Sequence, residues 1–341
     1  MSTKVPVTDY AWPSLDIARE ILAAIGAELM VAPSAHERDL IELAPQAAAI
    51  LTCWAPMTKA VLNAATQCRT VARYGVGLNN IDADRAGELD LVVTNVPDHC
   101  IEEISDHALA LLFSHARHII PFARQTRSDG WDNTAFGSMR RLRGQTLGLV
   151  GYGQIARALA DKANTLGIRV LAYSRGLSAP GTVGTQIGSA TMVGSLEELL
   201  TASDVVSVHI PLTEHTQGLI GERELATMKD TAYLINTSRG PIVDTEALSR
   251  ALRNGTLSGA ALDVLADEPP DRDDPLRAIE NLLLTPHAAF DSLESVAELQ
   301  RNAARNVTDA LTGTRPSYVV NPEVYDTIAF TDRARAIEVR A

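Results

Sequence analysis

The sequence predicts an α/β protein of two domains, each a doubly wound parallel sheet with helices on its faces, and a cleft between the domains. Three observations support this fold class. The chain has 341 residues, more than one hydrophobic core usually supports. Short apolar runs alternate with helical patterns along most of its length, as in sheets with crossover helices. One apolar run, described below, leads through closely spaced glycines into a helical pattern.

Composition narrows the class of protein. Hydrophobic residues make up 46% and charged residues 21%, as in globular proteins. No apolar run approaches the roughly 20 residues of a membrane helix, and the start MSTKVPVTDY lacks the features of a signal peptide. The formal charge of -12 argues against a nucleic-acid surface, which needs concentrated Lys and Arg. We therefore expect a cytoplasmic protein without membrane or nucleic-acid partners.

The cysteines indicate a reducing environment. Cys53, Cys68 and Cys100 are scattered, odd in number and contain no C-x-x-C pair, which is typical of reduced thiols rather than disulfides or a metal site. No metal is expected. Because the chain is acidic overall, an anionic substrate would have to be held by a few local donors.

The first domain is predicted from apolar runs that alternate with helical patterns before residue 95. The runs are KVPVTDY, AELMVAP, AAAILTCW, TVARYGVG and LDLVVTNVP. They predict a small parallel sheet, and no glycine fingerprint follows its first strand. This part of the chain, residues 1–100, is therefore the candidate substrate domain.

A long helix is predicted to follow. Apolar residues recur at helical spacing over residues 101–120, Asp98 can cap the helix, and Pro121 is expected to end it. Such a helix is long enough to carry the chain from one domain to the next. The polar stretch 126–143, which contains Trp131, is expected to lie on the surface.

The glycine turn lies in QTLGLVGYGQIA, residues 145–156. Gly151, Gly153 and Ala156 have the G-x-G-x-x-G/A spacing between a strand pattern and a helical one, which is the context that a dinucleotide fingerprint requires. The first glycine allows a tight turn, the second allows close approach of a pyrophosphate, and the helix N-terminus attracts its charge. The residues assigned to the dinucleotide here are Gly151, Tyr152, Gly153, Gln154 and Ile155.

The α/β alternation continues through the second domain, residues 101–290. Strands are predicted at 169–173, 190–194, 204–211, 231–237, 259–265 and 281–287, and helices at 154–166, 195–202, 222–229 and 244–253. A helical pattern over 292–312 could return the chain to the first domain, which would then comprise residues 1–100 plus 291–341. For the tail, 321–341, a docked arm and disorder both remain open.

The second strand of the fingerprint domain bears on the choice of cofactor. An acidic residue is usual there for the ribose of NAD, whereas an Arg accommodates the 2′-phosphate of NADP. This chain has Ser174 and Arg175, both able to donate hydrogen bonds to a phosphate. NADP(H) is therefore favoured over NAD(H). The alternatives are that Arg175 is solvated or lies over the adenine ring.

Three side chains sit at predicted C-terminal ends of strands, where open α/β sheets bind ligands. They are Arg239, Glu268 and His287. Reduction of a ketone beside a carboxylate needs a cation, a proton donor and a group that orients the donor, and these three residues supply those roles. Taken singly, each is more often an ordinary loop residue. His209 is the competing histidine, interpreted as lying near the nicotinamide or as a satisfied strand-end residue.

Several motifs then point to one family. The motifs GYGQIA, SVHIPLTEHTQGLIG, LINTSRGPIVD, GAALDVLADEPP and LLTPHAAF together resemble the D-isomer-specific 2-hydroxyacid dehydrogenases over nearly the whole chain. RYGVGLNNID is similar to the substrate loop of that family. VTDYAW, EEISDHALALL and TPHAAFDS look most like the branch that includes the C-terminal binding proteins and related bacterial dehydrogenases. The resemblance implies two Rossmann-like or flavodoxin-like domains and a homodimer joined through residues 101–120 and 126–143.

The resemblance also implies roles for individual residues. The backbone N–H groups of Val76 and Gly77 would bind the substrate carboxylate, together with Arg239, while Glu268 supports the acid/base His287. Trp54 would lie at the substrate, although an aromatic residue beside Cys53 is more often part of a core. The further residues expected to contact the cofactor are His209, Pro211, Thr216, Thr237, Ser238, Arg239, Asp263 and His287, with Asp263 on the nicotinamide carboxamide.

Two functions follow as expectations. The first is an NAD(P)-dependent oxidoreductase that interconverts a small 2-keto acid, such as glyoxylate or hydroxypyruvate, and a D-2-hydroxy acid. The second is a dinucleotide-sensing, corepressor-like scaffold with little turnover, since such scaffolds resemble the enzymes at Arg239, Glu268 and His287. The absence of a long regulatory tail from this sequence favours the enzyme.

Overall fold

The protein is described by a computed structural model that covers residues 3–178 and 181–326. These residues form two compact units. The first unit comprises residues 3–99 and 292–326, and the second comprises 100–178 and 181–291. The chain passes from the first unit to the second at Cys100 and returns at Ser292.

The first unit is built on a parallel sheet. Its strands are β1 (Thr3–Val7), β2 (Ala27–Val31), β3 (Ala49–Thr52), β4 (Thr70–Arg73) and β5 (Val92–Thr94), in the order β2-β1-β3-β4-β5. The connecting helices are α1 (Asp16–Ala23), α2 (Glu37–Leu43), α3 (Lys59–Ala64) and α4 (Ala83–Glu88), with a 3-10 turn at Ala44–Gln46. Separate apolar clusters form around Leu51 and Ile50, neighbours on β3, because alternate side chains of a strand point to opposite faces.

The second unit contains the larger sheet. Its strands are β6 (Thr146–Val150), β7 (Arg169–Tyr173), β8 (Gln186–Ile187), β9 (Ala190–Met192), β10 (Val205–Val208), β11 (Tyr233–Asn236), β12 (Gly259–Leu262) and β13 (Leu282–Leu284), in the order β13-β12-β11-β10-β6-β7-β9-β8. Its helices are α5 (Ile101–Ala116), α6 (Ile119–Arg127), α7 (Gln154–Thr165), α8 (Leu196–Ala202), α9 (Glu222–Thr227) and α10 (Thr245–Arg253), with 3-10 turns at Gly240–Ile242 and Pro275–Ala278.

Both faces of this sheet are covered. On β10, Val206 and Val208 belong to one apolar cluster and Val205 to another. Strands that are buried on both faces have continuous apolar runs, and such runs predicted the positions of these strands. The two helix-flanked parallel sheets confirm the predicted α/β fold class.

Several features predicted for residues 98–127 differ in the structure. The helix expected over 101–120 is divided, because His118 adopts a left-handed conformation (φ 50°) between α5 and α6. Pro121 does not end a helix but lies in the first turn of α6, where its missing N–H is not needed. Asp98 is not the cap, since α5 begins after Cys100 and Asp98 accepts a hydrogen bond from Tyr318. Helix α5 also does not connect the two units, because the second unit begins at Cys100, before the helix starts.

Strand β9 lies within the strand predicted at 190–194, but β8 and its antiparallel pairing with β9 were not predicted. The two residues of β8 are too few to produce an apolar periodicity. Residues 128–143 lie at the surface as expected, whereas 126–127 still belong to α6.

The chain returns to the first unit through α11 (Leu293–Thr312), which is capped by Ser292 and contacts α1. The next segment contains the 3-10 turn Pro322–Asp326. Asn321 is buried there, accepting a hydrogen bond from Val93 N and donating one to Leu91 O, both at 2.8 Å. Residues 321–326 are thus docked, and the rest of the predicted tail, 327–341, lies outside the described residues. Within the described ranges, none of the helices has the length and hydropathy of a bilayer-spanning segment.

Candidate active site

The glycine turn connects β6 to the N-terminus of α7. Gly151 has φ +94°, and a Cβ at this position would collide with the carbonyl oxygen of His209, so only glycine fits. A Cβ on Gly153 would meet no atom of the described residues within 4 Å, which leaves open space before the helix. Helix N-terminal N–H groups facing such space suit a pyrophosphate. The turn therefore fits a dinucleotide.

Tyr152 plays a different part from the other residues of this turn. Its ring is buried and its hydroxyl donates to Ile187 O at 2.8 Å. The side chain thus fastens the β8–β9 hairpin to the turn, so any contact with a dinucleotide would be through its backbone.

The end of β7 carries Ser174 and Arg175. Ser174 O accepts hydrogen bonds from Leu177 N and Ser178 N, at 2.9 and 2.7 Å, which forms a tight turn. Arg175 is exposed on this turn. Arg175, a cation, thus stands where many dinucleotide-binding domains of this fold have a carboxylate that binds the ribose.

The loop after β10 holds His209, Pro211 and Thr216. Burial lowers the pKa of His209 to about 4, and its Nε2 lies 2.8 Å from Ser207 Oγ. His209 is therefore neutral near pH 7, which disfavours it as the proton donor for reduction. Thr216 is buried, and its hydroxyl donates to Pro211 O at 2.7 Å, so this residue shapes the loop.

The loop after β11 holds Arg239. Asn236, buried at the strand end, accepts from Ser238 N at 3.0 Å and donates to Arg239 O at 2.8 Å. Ser238 Oγ donates to Val208 O at 2.7 Å. The hydroxyl of Thr237 is buried without a hydrogen-bond partner among the described residues, and buried polar groups of this kind commonly await a ligand or water. Sequence reasoning missed Asn236, whose signal was a polar residue ending an otherwise apolar strand.

Glu268 and His287 are in direct contact. His287 Nδ1 lies 2.6 Å from Glu268 Oε2, and Glu268 Oε1 accepts from Leu265 N at 2.8 Å. Burial would raise the pKa of Glu268, but the hydrogen bond and charge of His287, the Leu265 N–H and the charge of Arg239 together lower it. The carboxylate is thus held ionised beside the imidazole, and Arg239 is near enough to contribute to its electrostatics.

Asp263 is buried at the end of β12. Its carboxylate accepts hydrogen bonds from Thr285 Oγ1 at 2.5 Å, Ala288 N at 2.9 Å and Ala289 N at 3.0 Å. These donors flank His287, so Asp263 organises the loop that carries the imidazole. Its suggested contact with a nicotinamide carboxamide stays a prediction.

The first unit carries the remaining predicted residues. Trp54 is 40% exposed, so the interpretation of Trp54 as a core residue is wrong. The carboxylate of Asp9 accepts hydrogen bonds from the backbone N–H of Cys53, Trp54 and Ala55, at 3.0, 2.7 and 3.1 Å, which fixes this loop. Val76 is exposed and Gly77 is half-buried in the loop after β4. Their assignment to the substrate carboxylate stays a prediction.

A parallel sheet with a glycine turn after its fingerprint strand, and an imidazole–carboxylate pair at the same strand ends, define a dinucleotide-dependent oxidoreductase. Residues 109–289 match the family model described as D-isomer specific 2-hydroxyacid dehydrogenase, NAD binding domain. The chain belongs to the D-isomer-specific 2-hydroxyacid dehydrogenase family.

Relatives and a solved structure agree. The chain is 41% identical over 275 residues to a glyoxylate reductase of Korarchaeum cryptofilum, covering 79% of this chain and 81% of the relative. It is 34% identical over 315 residues to a glyoxylate reductase of Thermofilum pendens, covering 92% of both. The crystal structure of the TT0316 protein from Thermus thermophilus superposes with a TM-score of 0.84 at 33% identity, covering 93% of this chain and all of that one.

The chain is therefore an oxidoreductase acting on the CH–OH group of donors, with a nicotinamide dinucleotide as cofactor. Within residues 3–178 and 181–326, no group of three or more His, Cys, Asp or Glu side chains is placed to hold a metal ion.

Proposed function

We propose that this protein reduces small 2-keto acids, with glyoxylate and hydroxypyruvate as substrates, to the corresponding 2-hydroxy acids, and that it favours NADPH over NADH. The observation that carries the proposal is the 2.6 Å contact between His287 Nδ1 and Glu268 Oε2. The positive charge of Arg239 acts on the same carboxylate and helps to lower its pKa. The names of the two relatives, both glyoxylate reductases, support the choice of substrate.

In the proposed reaction, each of three side chains has a separate role. The dinucleotide, when bound, supplies the hydride. Arg239 binds the substrate carboxylate and polarises the adjacent carbonyl. Glu268 holds Nδ1 of His287, so the proton for the carbonyl oxygen is delivered from Nε2. In the direction of oxidation the same nitrogen accepts the proton.

The cofactor would be held by groups already described. The N–H groups at the start of α7, after Gly153, suit the pyrophosphate, and Ser174 and Arg175 suit the ribose end. The buried hydroxyl of Thr237 points to a ligand contact near the nicotinamide end. Val76 and Gly77 are proposed to bind the carboxylate through their N–H groups, with Trp54 limiting the size of the substrate side chain.

A panel of keto acids tests the proposal. Purified protein is mixed with NADPH or NADH and with 2-keto acids that range from glyoxylate to aromatic ones, and loss of reduced cofactor is measured. We expect turnover of glyoxylate and hydroxypyruvate, falling as the side chain grows. Cofactor binding without turnover of any keto acid would contradict the proposal and favour the corepressor-like scaffold.

The cofactor preference makes a separate prediction. Arg175→Ala should weaken NADPH binding selectively, because the guanidinium would lose its hydrogen bonds to the 2′-phosphate, by about tenfold or more in KM. The KM for NADH should change little. The control is Arg223→Ala, which removes an exposed arginine. Arg157 is less suitable as a control because its guanidinium lies over the ring of Tyr152. If the ratio of the KM values for NADPH and NADH is unchanged in Arg175→Ala, Arg175 does not bind the 2′-phosphate.

We also propose a homodimer. The segment formed by α6 and residues 128–143 contains four exposed large apolar side chains, namely Ile119, Trp131, Phe136 and Met139, and a concentration of exposed apolar side chains is typical of contacts between proteins. Light scattering should give twice the 36.5 kDa of one chain, and replacing Trp131 with Asp should shift the mass toward one chain. A mass of one chain for the unaltered protein would contradict the dimer.

A further inference from the structure

The loop that carries His287 needs strong support. His287 has φ +51°, a conformation that is unfavourable for a non-glycine residue and persists only where its surroundings fix it. Its N–H donates to Asp263 O at 2.8 Å. The next two N–H groups, of Ala288 and Ala289, donate to the Asp263 carboxylate. The position of the imidazole therefore depends on how firmly Asp263 is held.

Thr285 connects this loop to Asp263 from the other side. Its hydroxyl donates to Asp263 Oδ1 at 2.5 Å, the same oxygen that accepts Ala288 N–H at 2.9 Å. A threonine hydroxyl has one proton. Because that proton is given to Asp263, Thr285 Oγ1 can only accept from any other partner.

That other partner is His107, on α5. Its Nε2 lies 3.1 Å from Thr285 Oγ1 and 3.6 Å from Asp263 Oδ1. Since Thr285 accepts in this contact, Nε2 of His107 must carry the proton. The result is a directed chain of hydrogen bonds, from His107 Nε2 to Thr285 Oγ1 and from Thr285 Oγ1 to Asp263 Oδ1.

We infer that His107 is a positioning residue for the acid/base His287, acting through Thr285 and Asp263. It touches neither substrate nor cofactor in this role. By donating to Thr285 it orients the threonine hydroxyl toward Asp263, and Asp263 in turn holds the backbone N–H groups of residues 287–289. The inference rests on the proposed function, in which His287 transfers the proton.

The neighbouring residue on α5 gives a natural comparison. Asp106 forms an ion pair with Lys162 at 2.7 Å and is largely exposed, whereas the His107 side chain is only 23% exposed. Consecutive helix residues thus serve different contacts. A variant of Asp106 disturbs the same helix without reaching the chain of hydrogen bonds.

Paired variants test the inference. His107→Gln and Thr285→Ser retain a donor and a hydroxyl, whereas His107→Leu and Thr285→Val remove them, and Asp106→Asn is the control. We expect His107→Leu and Thr285→Val to lower kcat about tenfold or more, because a displaced catalytic group reacts poorly. The effect on KM for the dinucleotide should be smaller than the effect on kcat. His107→Gln, Thr285→Ser and Asp106→Asn should keep most of the activity.

Hydrogen exchange supplies a readout that does not need turnover. In His107→Leu and Thr285→Val, the amides of residues 287–289 should exchange faster, since exchange reports local opening, while those of α7 should be unchanged. Exchange and kcat close to those of the unaltered protein in His107→Gln and Thr285→Ser would support the inference. Unaltered exchange in His107→Leu and Thr285→Val, or faster exchange with unaltered kcat, would overturn it. If the unaltered protein reduces no keto acid, the proposed function fails, and unchanged exchange alone would still overturn the positioning role.

Discussion

Replacing His287 with Asn should lower kcat by about 10²–10⁴-fold, the usual contribution of a positioned acid or base, while dinucleotide binding stays nearly intact. Asn tests the role of the imidazole more specifically than Ala does. It tolerates the left-handed backbone conformation, which is needed because His287 has φ +51°. Its side-chain amide can also take the place of Nδ1 opposite Glu268, so the variant removes chiefly the proton carried on Nε2.

His287→Ala provides the comparison. It should lose turnover to a similar extent but also lose stability, since alanine is strained at positive φ and Glu268 loses the partner that lowers its pKa. Turnover is measured with glyoxylate, dinucleotide affinity by fluorescence titration and stability by thermal unfolding. Equal loss of turnover and of dinucleotide binding in the Asn variant would mean that His287 has a structural role, and the acid/base assignment would be wrong.

Replacing Arg239 with Leu should lower kcat/KM for glyoxylate by about 10²–10³-fold, the cost of removing a donor that stabilises developing charge. The loss should appear in both KM and kcat, since the guanidinium would bind the carboxylate and polarise the carbonyl. Arg239→Lys should recover only part of the activity, because an ammonium cannot reproduce the paired hydrogen bonds of a guanidinium.

Arg250→Leu is a matched control for this experiment. Arg250 lies on α10 and pairs with Glu222 at 3.2 Å, with both side chains exposed, and exposed pairs of this kind contribute little. It should leave the kinetics unchanged. If Arg239→Leu changes neither KM for the keto acid nor kcat, another residue binds the substrate carboxylate.

Much of the second unit could be predicted because its signals are local. Arg169–Tyr173 is the strand expected at 169–173, since a strand buried on both faces needs an unbroken apolar run. Gly151 could be recognised from the G-x-G-x-x-A spacing between a strand pattern and a helical one, and the structure supplies the reason, since a Cβ there would collide with His209 O. The break at His118 could not, because apolar residues keep their helical spacing across it and Pro121 is compatible with a first turn.

The first unit shows the same limit. The apolar context of Trp54 suggested a core residue, yet the side chain is 40% exposed. The loop is held by Asp9, whose carboxylate accepts hydrogen bonds from the N–H groups of Cys53, Trp54 and Ala55. Nothing in the local sequence around Trp54 contains that acid.

The sequence by itself determined the class of fold, most of the strands and helices of the second unit, and the residue types at the candidate site. These follow from the periodicity of burial and from conformations that only glycine adopts, both of which act within a few residues. Only the tertiary structure decided which groups meet. The contact of Glu268 with His287 could be anticipated, but the chain from His107 through Thr285 to Asp263 joins residues far apart in the sequence. A hydrogen bond depends on distance and direction in space, and no local pattern encodes either across such separations.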